Sequence, residues 1–474
     1  MMTLKHALME CCTPLRTLKN CNASPSEPGP HLIEQLQAGS GVRAWLWEDY
    51  TLPVIALAFS FKGGSVQDSF GKEGEVALMT RLLEEGAGDL AAEVYRERLD
   101  EADAEMNFYA EGDTVYGYLK VLADRKDTAF DLLRLAVMQP RFDQASVERI
   151  RTKFLTDIKA DANDPHAAAR TAWRKTLYGD HQYSRQPEGT ETTIAAITRK
   201  DLQIVHQKLV ARGKLKVAVA GAIDSKTLTD DLERIFGDLP AEPELVPIAD
   251  INPILAQQVQ ISYPLPKTEL RLAYRGIGIK DPYYFAAQLM NHILGSWSTS
   301  RLYKEVREKR GLSYSVSSSL VNRHHSSKLL VRCAGTRPDR AAEALSTIRA
   351  EIRRVAEEGV TEEELEVAKK NLIGGYAIRR LGSAEAIVST LLESQERGED
   401  TKFFERQSQS IQAVTTHGVR SLAERLFDHD PTVMVVGNPL EGDLAQSADL
   451  SLRLVSSHSS CGAPSSGLVS KIAR

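Results

Sequence analysis

The chain has 474 residues, a formal net charge of −5, 42% hydrophobic and 26% charged residues. That balance is ordinary for a soluble globular protein of about two to four domains, and it excludes the basic field that nucleic-acid binding needs. No stretch approaches the roughly 20 apolar residues that cross a bilayer, so no membrane span is expected.

Residues 1–31 are polar and broken by Pro14, Pro25, Pro28 and Pro30, and read as a flexible tail. They lack the apolar stretch and small-residue cleavage site of a secretory signal. Cys11, Cys12, Cys21 and Cys461 fall in the tails, and together with Cys333 they form no CxxC pair. That pattern fits reduced thiols rather than a disulfide framework or a zinc knuckle. The cytoplasm is the expected compartment, with the periplasm as the alternative.

Val42–Trp47 and Pro53–Lys62 predict the first strands, and the alternation Ile55, Leu57, Phe59, Phe61 predicts one buried face in the second. Gly74–Gly86 then predicts a short amphipathic helix between two glycines, with Glu84 and Glu85 at a solvated end. An amphipathic segment at Ala91–Glu101 precedes strands at Glu105–Ala110 and Asp113–Val121. Helices are expected at Arg125–Met138, from Asp143 through Ala160, and from Pro165 onward. Thr198 is a plausible cap for a helix over Thr198–Val210, before a buried strand at Leu215–Ala220 and a helix at Asp224–Phe236.

Residues 239–255 hold four prolines and read as a linker. The same series then recurs. Glu269–Tyr274 corresponds to the strand at 55–61, and Tyr283–Leu294 to the helix at Gly74. Ser313–Leu320 and Lys328–Ala334 correspond to the strand pair, and Arg340–Glu357 and Thr361–Gly374 to the helices after it. Thr416–Leu426 and Pro431–Val436 close the series as Thr198–Val210 and Leu215–Ala220 closed the first. The chain therefore predicts two copies of one αβ unit: 32–238 and 256–440, joined by 239–255, with a Ser-rich tail at 441–474. Strands in adjacent pairs with helices between them argue for α+β rather than a parallel doubly wound sheet.

In the second copy stands Ser300-Arg301-Leu302-Tyr303, followed by Arg307-Glu308-Lys309-Arg310-Gly311-Leu312-Ser313-Tyr314. It is similar to the SRLF…LREKxGLxY segment of the M16 (pitrilysin, insulinase, mitochondrial processing peptidase) family. The duplicated unit resembles that family's half-clamshell of two LuxS-like metallohydrolase domains. The resemblance covers roughly residues 32–440. It implies that Arg307 and Tyr314, an Arg and a Tyr at the family's seven-residue offset, bind the substrate backbone.

The resemblance also implies an HxxEH motif in the first copy. Two His one helical turn apart grip Zn²⁺, the Glu serves as general base, and a carboxylate on a later helix completes the ligand set. Placing the family's opening glycine on Gly74 puts Ala77, Thr80 and Arg81 in the His, Glu and His positions, and Asp157 in that of the third ligand. Ala77 has no donor, Thr80 is no carboxylate, and Arg81 would set a permanent cation where the metal belongs. An Arg81–Asp157 ion pair in place of the metal is expected.

Other candidates have plainer readings. His324 and His325 are adjacent on a polar turn and point apart, which disfavours a shared metal. His166, His181 and His206 read as surface or capping residues, and Gly295-Ser296 with Ser298–Ser300 as a structural turn. Without the resemblance, Arg307 would be a surface Arg and Tyr314 a core Tyr. With it, the chain is expected to be the non-catalytic, substrate-binding subunit of a two-chain peptidase, inactive alone and without a cofactor of its own. Its expected partners are an HxxEH-bearing, zinc-carrying subunit and a peptide held as an added strand on a sheet edge. The alternatives are a structural or binding homologue with no peptidase role and, third, an active metallopeptidase with an unrecognised site.

Overall fold

The computed structural model describes residues 33–438, apart from Leu381. The tails expected at 1–31 and 441–474, with Cys11, Cys12, Cys21 and Cys461, lie outside the described residues. Strands β1 (Glu34–Gln37), β2 (Arg43–Glu48) and β3 (Val54–Lys62) lead into helix α1 (Glu75–Leu82). A small hairpin, β4 (Gly86–Ala87) and β5 (Leu90–Ala91), precedes α2 (Ala92–Glu101), β6 (Glu105–Ala110) and β7 (Thr114–Leu122). Then come α3 (Lys126–Met138), α4 (Gln144–Asp161), α5 (Pro165–Tyr178), α6 (Glu191–Ala196), α7 (Arg199–Leu209), β8 (Lys216–Gly221) and α8 (Ser225–Phe236).

The second series is β9 (Gln258–Ser262), β10 (Thr268–Arg275), α9 (Tyr284–Asn291), β11 (Ser315–Arg323), β12 (Ser326–Thr336) and α10 (Ala341–Glu358). It ends with α11 (Glu362–Arg380), α12 (Ala384–Arg397), α13 (Phe403–Gln412), α14 (Thr416–Leu426) and β13 (Thr432–Gly437). The first sheet runs β1-β2-β8-β3-β7-β6 and the second β9-β13-β10-β12-β11. Apart from β1, the two orders coincide. In both, a parallel pair (β2 with β8, β9 with β13) stands beside antiparallel neighbours. The fold is α+β, two homologous αβ units with antiparallel-rich sheets. Each sheet has its own apolar core, around Phe59, Phe61, Phe108 and Phe130 in the first and Leu272, Leu289, Val331 and Ile348 in the second.

β3 departs from the expectation of one buried face. Ile55, Leu57, Phe59 and Phe61 enter the first core, but Ala56 and Ala58 are buried on the opposite face as well. There they meet Ile387, Val388, Leu391 and Leu392 of α12. The small side chains Ala56, Ala58, Ala218 and Ala220 let a helix from the second series lie close on the first sheet. The exchange is reciprocal. Ala169, Trp173 and Leu177 of α5 pack on Ala273, Met434 and Val436 of the second sheet. Each unit thus supplies the helix that covers the other's sheet, and residues 33–438 fall within one compact unit.

The proline-rich stretch between the units is pinned to both. The Glu244 N–H donates to Lys208 O at 2.8 Å, the Ile251 N–H to His325 O at 2.8 Å, and the Ile254 N–H to Leu177 O at 2.9 Å.

Candidate functional site

Helix α1 is held by groups immediately before it. Gly74 has φ +96, and a Cβ there would meet Ile194 Cδ1 at 2.6 Å, so only glycine fits this entry. The Asp68 carboxylate accepts the N–H of Gly74 at 2.8 Å and of Val76 at 3.0 Å. Burial pushes the Asp68 pKa up to about 8, with those two N–H bonds pulling the other way. Glu75 accepts Ser69 N–H at 2.6 Å.

Ala77, Thr80 and Arg81 share one face of α1, as residues three and four apart must. Thr80 is buried and its hydroxyl donates to Ala77 O at 2.9 Å. Arg81 is exposed, and so is Asp157 on α4. The expected Arg81–Asp157 pair does not form: no ion pair joins them among the described residues. Both side chains stay in water, where an exposed pair would gain little. Zinc does not fit this helix, since the face offers a methyl group, an engaged hydroxyl and a guanidinium. Among the described residues no three His, Cys, Asp or Glu side chains converge as a metal site.

Glu84 and Glu85 are not the solvated end that the sequence suggests. Glu84 accepts Phe108 N–H at 2.9 Å on β6, the edge strand of the first sheet, and burial raises its pKa. Glu85 pairs with Arg149 and Arg96. Apart from the exposed Arg81, the polar groups around α1 are thus engaged in holding it.

The segment after Trp297 is arranged differently. Arg301 anchors it by a two-pronged contact with Glu364, at 2.8 and 2.6 Å, and a bond to Gly359 O at 3.0 Å. Tyr303–Glu308 forms a π-helical turn, a wider geometry often found at functional sites. Gly311, at φ +58, ends the turn: the Leu312 N–H reaches back to Val306 O at 2.8 Å and the Gly311 N–H to Arg307 O at 3.1 Å. This left-handed reversal folds the chain back, so Tyr314 returns over Arg307.

The Arg307 guanidinium carbon stands 4.8 Å from the Tyr303 ring centroid and 5.5 Å from that of Tyr314. Its Nη1 donates to the Tyr303 hydroxyl at 2.5 Å. Of the two acids in the same turn, Glu305 is taken by Lys309 and Arg310, each at 2.5 Å, and Glu308 is exposed. Among the described residues no carboxylate pairs with Arg307. Tyr314 is 72% exposed, which corrects the core reading of its residue type. The base of its side chain fits closely against Gly335, where a Cβ would come within 2.6 Å of Tyr314 Cβ. The structure therefore brings Arg307 and Tyr314 together and adds Tyr303, whose i, i+4 spacing from Arg307 was the available signal.

Farther along β11, where residues 320–324 reach its end, lies a cavity of about 1020 Å³ between the two units. Asn107 and Tyr109 of the edge strand β6, Tyr116 of β7, His324 and Glu396 line it. His324 belongs to a clasp rather than to a free turn. Its N–H donates to Asp113 at 3.2 Å, and its Nε2 lies 3.4 Å from Glu396 on α12. Tyr183 donates to Asp113 at 2.8 Å, and the His325 ring contacts Asp250 at 2.8 Å. Hydrogen bonding to Asp113 first, then to Glu396, raises the His324 pKa to about 9. His206, expected at the surface, is buried against Val137 O, and desolvation pushes its pKa down to about 4. His181 caps a short turn by accepting Tyr183 N–H, and the exposed His166 faces Glu269 at 3.1 Å.

The duplicated αβ unit with exchanged covering helices resembles the half-clamshell of the M16 peptidases. Two family profiles match consecutively. Residues 46–191 match the one described as Insulinase (Peptidase family M16), and residues 196–372 the one described as Peptidase M16 inactive domain. The chain belongs to the M16 peptidase family. It is 28% identical over 387 residues to an uncharacterized zinc protease of Mycobacterium leprae, covering 79% of this chain and 84% of that one. It is 24% identical over 340 residues to the non-peptidase homolog YmxG of Helicobacter pylori, covering 70% and 77%. The crystal structure of a peptidase M16 inactive domain from Pseudomonas fluorescens superposes with a TM-score of 0.80 at 26% identity, covering 86% of this chain and 98% of that one. The chain is an inactive-type M16 homologue. Among the described residues no helix is long and apolar enough to cross a membrane.

Proposed function

We propose that this chain is the non-catalytic, substrate-binding subunit of a heteromeric M16 zinc peptidase. Arg307 and Tyr314 contact the substrate in a site whose HxxEH motif and zinc belong to a partner subunit. The observation that carries this reading is the Arg307 cation itself. It is set between two phenol rings, has no carboxylate partner among the described residues, and lies beside the exposed Tyr314. A guanidinium that the fold does not neutralise is suited to an acceptor from outside, such as a peptide carbonyl. With the Tyr314 O–H beside it, it can stabilise charge that develops on that oxygen during peptide cleavage. The first unit complements this reading, because Ala77, Thr80, Arg81 and Asp157 offer zinc no site. The edge strand β6, lining the cavity through Asn107 and Tyr109, suits a substrate added as a strand.

The test is reconstitution. The purified chain alone should cleave no fluorogenic peptide and hold no stoichiometric zinc, and mixing it with an HxxEH chain from the same organism should produce activity. Zinc at one equivalent together with peptidase activity in this chain alone would overturn the proposal. The second reading, a binding or structural homologue without a peptidase role, is favoured by the relative named as a non-peptidase homolog. It predicts that no HxxEH chain co-purifies or gains activity.

A further inference from the structure

Arg307 has more donors than the fold uses, and a long side chain that must be held in one orientation to serve a ligand. Tyr303 supplies two of the contacts that hold it: the hydrogen bond from Nη1 to the phenol oxygen at 2.5 Å, and the ring face 4.8 Å from the guanidinium carbon. Tyr314 contributes only its ring, farther off at 5.5 Å, and is itself 72% exposed. Tyr303 is better anchored. It sits in the π-helical turn between Arg301, locked to Glu364, and Val306, which is fully buried. Of the two acids in that turn, Glu305 is held by Lys309 and Arg310, and Glu308 is exposed and makes no ion pair with Arg307 among the described residues.

We propose that Tyr303 is the positioning residue for Arg307: its ring carries the guanidinium and its hydroxyl fixes the guanidinium's rotation, leaving the remaining N–H groups to an acceptor-only ligand group, a carbonyl or carboxylate oxygen. The substrate half of this statement rests on the proposed function, while the positioning half does not. Phenol and guanidinium act as one unit because a neutral acceptor orients a cation without cancelling its charge. A carboxylate in the same place would orient the cation and neutralise it together.

Two measurements separate the halves. In the chain alone, labelled with ¹⁵N-arginine and assigned by the loss of one signal in Arg307→Lys, the Arg307 Nη resonances should show slow guanidinium rotation. That signature should be lost in Tyr303→Phe, which keeps the ring and removes the hydroxyl. An unchanged Arg307 signal in Tyr303→Phe overturns the positioning role whatever the activity does. In the reconstituted pair with a quenched fluorogenic peptide, Tyr303→Phe should lower kcat/KM about tenfold, the order expected for a hydrogen bond to a charged group. The same substitution in an Arg307→Lys background should cost almost nothing further, because the two residues act through one contact. An equal tenfold loss in both backgrounds places Tyr303's role elsewhere and overturns the proposal. If the NMR signature depends on Tyr303 while activity ignores Arg307 altogether, the positioning stands and the reading of Arg307 as a substrate contact is what fails.

Discussion

Helix α1 and the Arg307 segment stand in different units, and their polar groups meet opposite fates. Around α1, Arg81 apart, they are consumed internally. Asp68 holds two N–H groups at the helix start, Thr80 bonds its own backbone, and Glu84 takes Phe108 N–H on the neighbouring strand. Around Arg307, Glu305 is taken by other cations, no carboxylate pairs with Arg307 among the described residues, and the guanidinium rests on aromatic faces. A group already satisfied by the fold has little left for a ligand, and displacing it costs about 1–3 kcal/mol. A cation held by neutral groups keeps its charge available. The difference predicts that substitutions near α1 change stability, and that substitutions near Arg307 change function.

The largest expected effect tests the second half of that contrast. Arg307→Ala or Tyr314→Phe should lower the activity of a reconstituted pair by about 10²-fold, the order seen on removing one oxyanion donor, with the melting temperature almost unchanged. Equal activity of wild type and both variants would remove the functional side of the comparison. Next in size, Asp68→Ala leaves two amides at a buried helix start without an acceptor. It should cost about 1–3 kcal/mol in urea unfolding, and activity scaled to folded protein should hold. Glu84→Ala should cost about 1 kcal/mol by freeing one N–H on an edge strand. Hydrogen exchange at the Phe108 amide should speed up in that variant, and unchanged protection there would show that Glu84 is not its main partner.

The smallest effect concerns the clasp between units. A His whose pKa is raised in the folded state stabilises it fully below the unfolded value, near 6.5, and that contribution disappears as pH climbs through the folded value. For His324 the window runs from about 6.5 to about 9. Its side chain is 33% exposed, so solvent screening limits the effect to a few degrees of melting temperature. Wild type should exceed His324→Ala at pH 6 and converge on it by pH 9. A constant gap across that range would show that packing, not charge, is what His324 supplies.

Much of this organisation is legible in the residues. Strand alternation and helical stripes locate the repeated series, because a sheet or helix must bury one face and its period shows in the sequence. The spacing of Arg301, Arg307, Gly311 and Tyr314 is local, so the segment can be picked out before any fold is known. Tyr303 was within reach by the same logic, four residues before Arg307. The small residues Ala56, Ala58, Ala218 and Ala220 were a visible hint of close packing on the second face of β3 and β8. What packs there was not visible, since α12 is distant in the chain and its apolar stripe names no partner.

By itself the sequence determined the duplicated αβ series, the absence of metal-donor residue types at Ala77, Thr80 and Arg81, and the presence of Arg307 and Tyr314. The series follows from residue identity and short-range spacing, and the meaning of Ala77, Thr80, Arg81, Arg307 and Tyr314 from the resemblance to the M16 family. Only the tertiary structure decided the exchange of α5 and α12 between the sheets, the burial of His206, the clasp at His324 and the separate, solvated positions of Arg81 and Asp157. Each of those depends on which distant surfaces meet, and burial and partner choice are properties of that meeting rather than of any one segment.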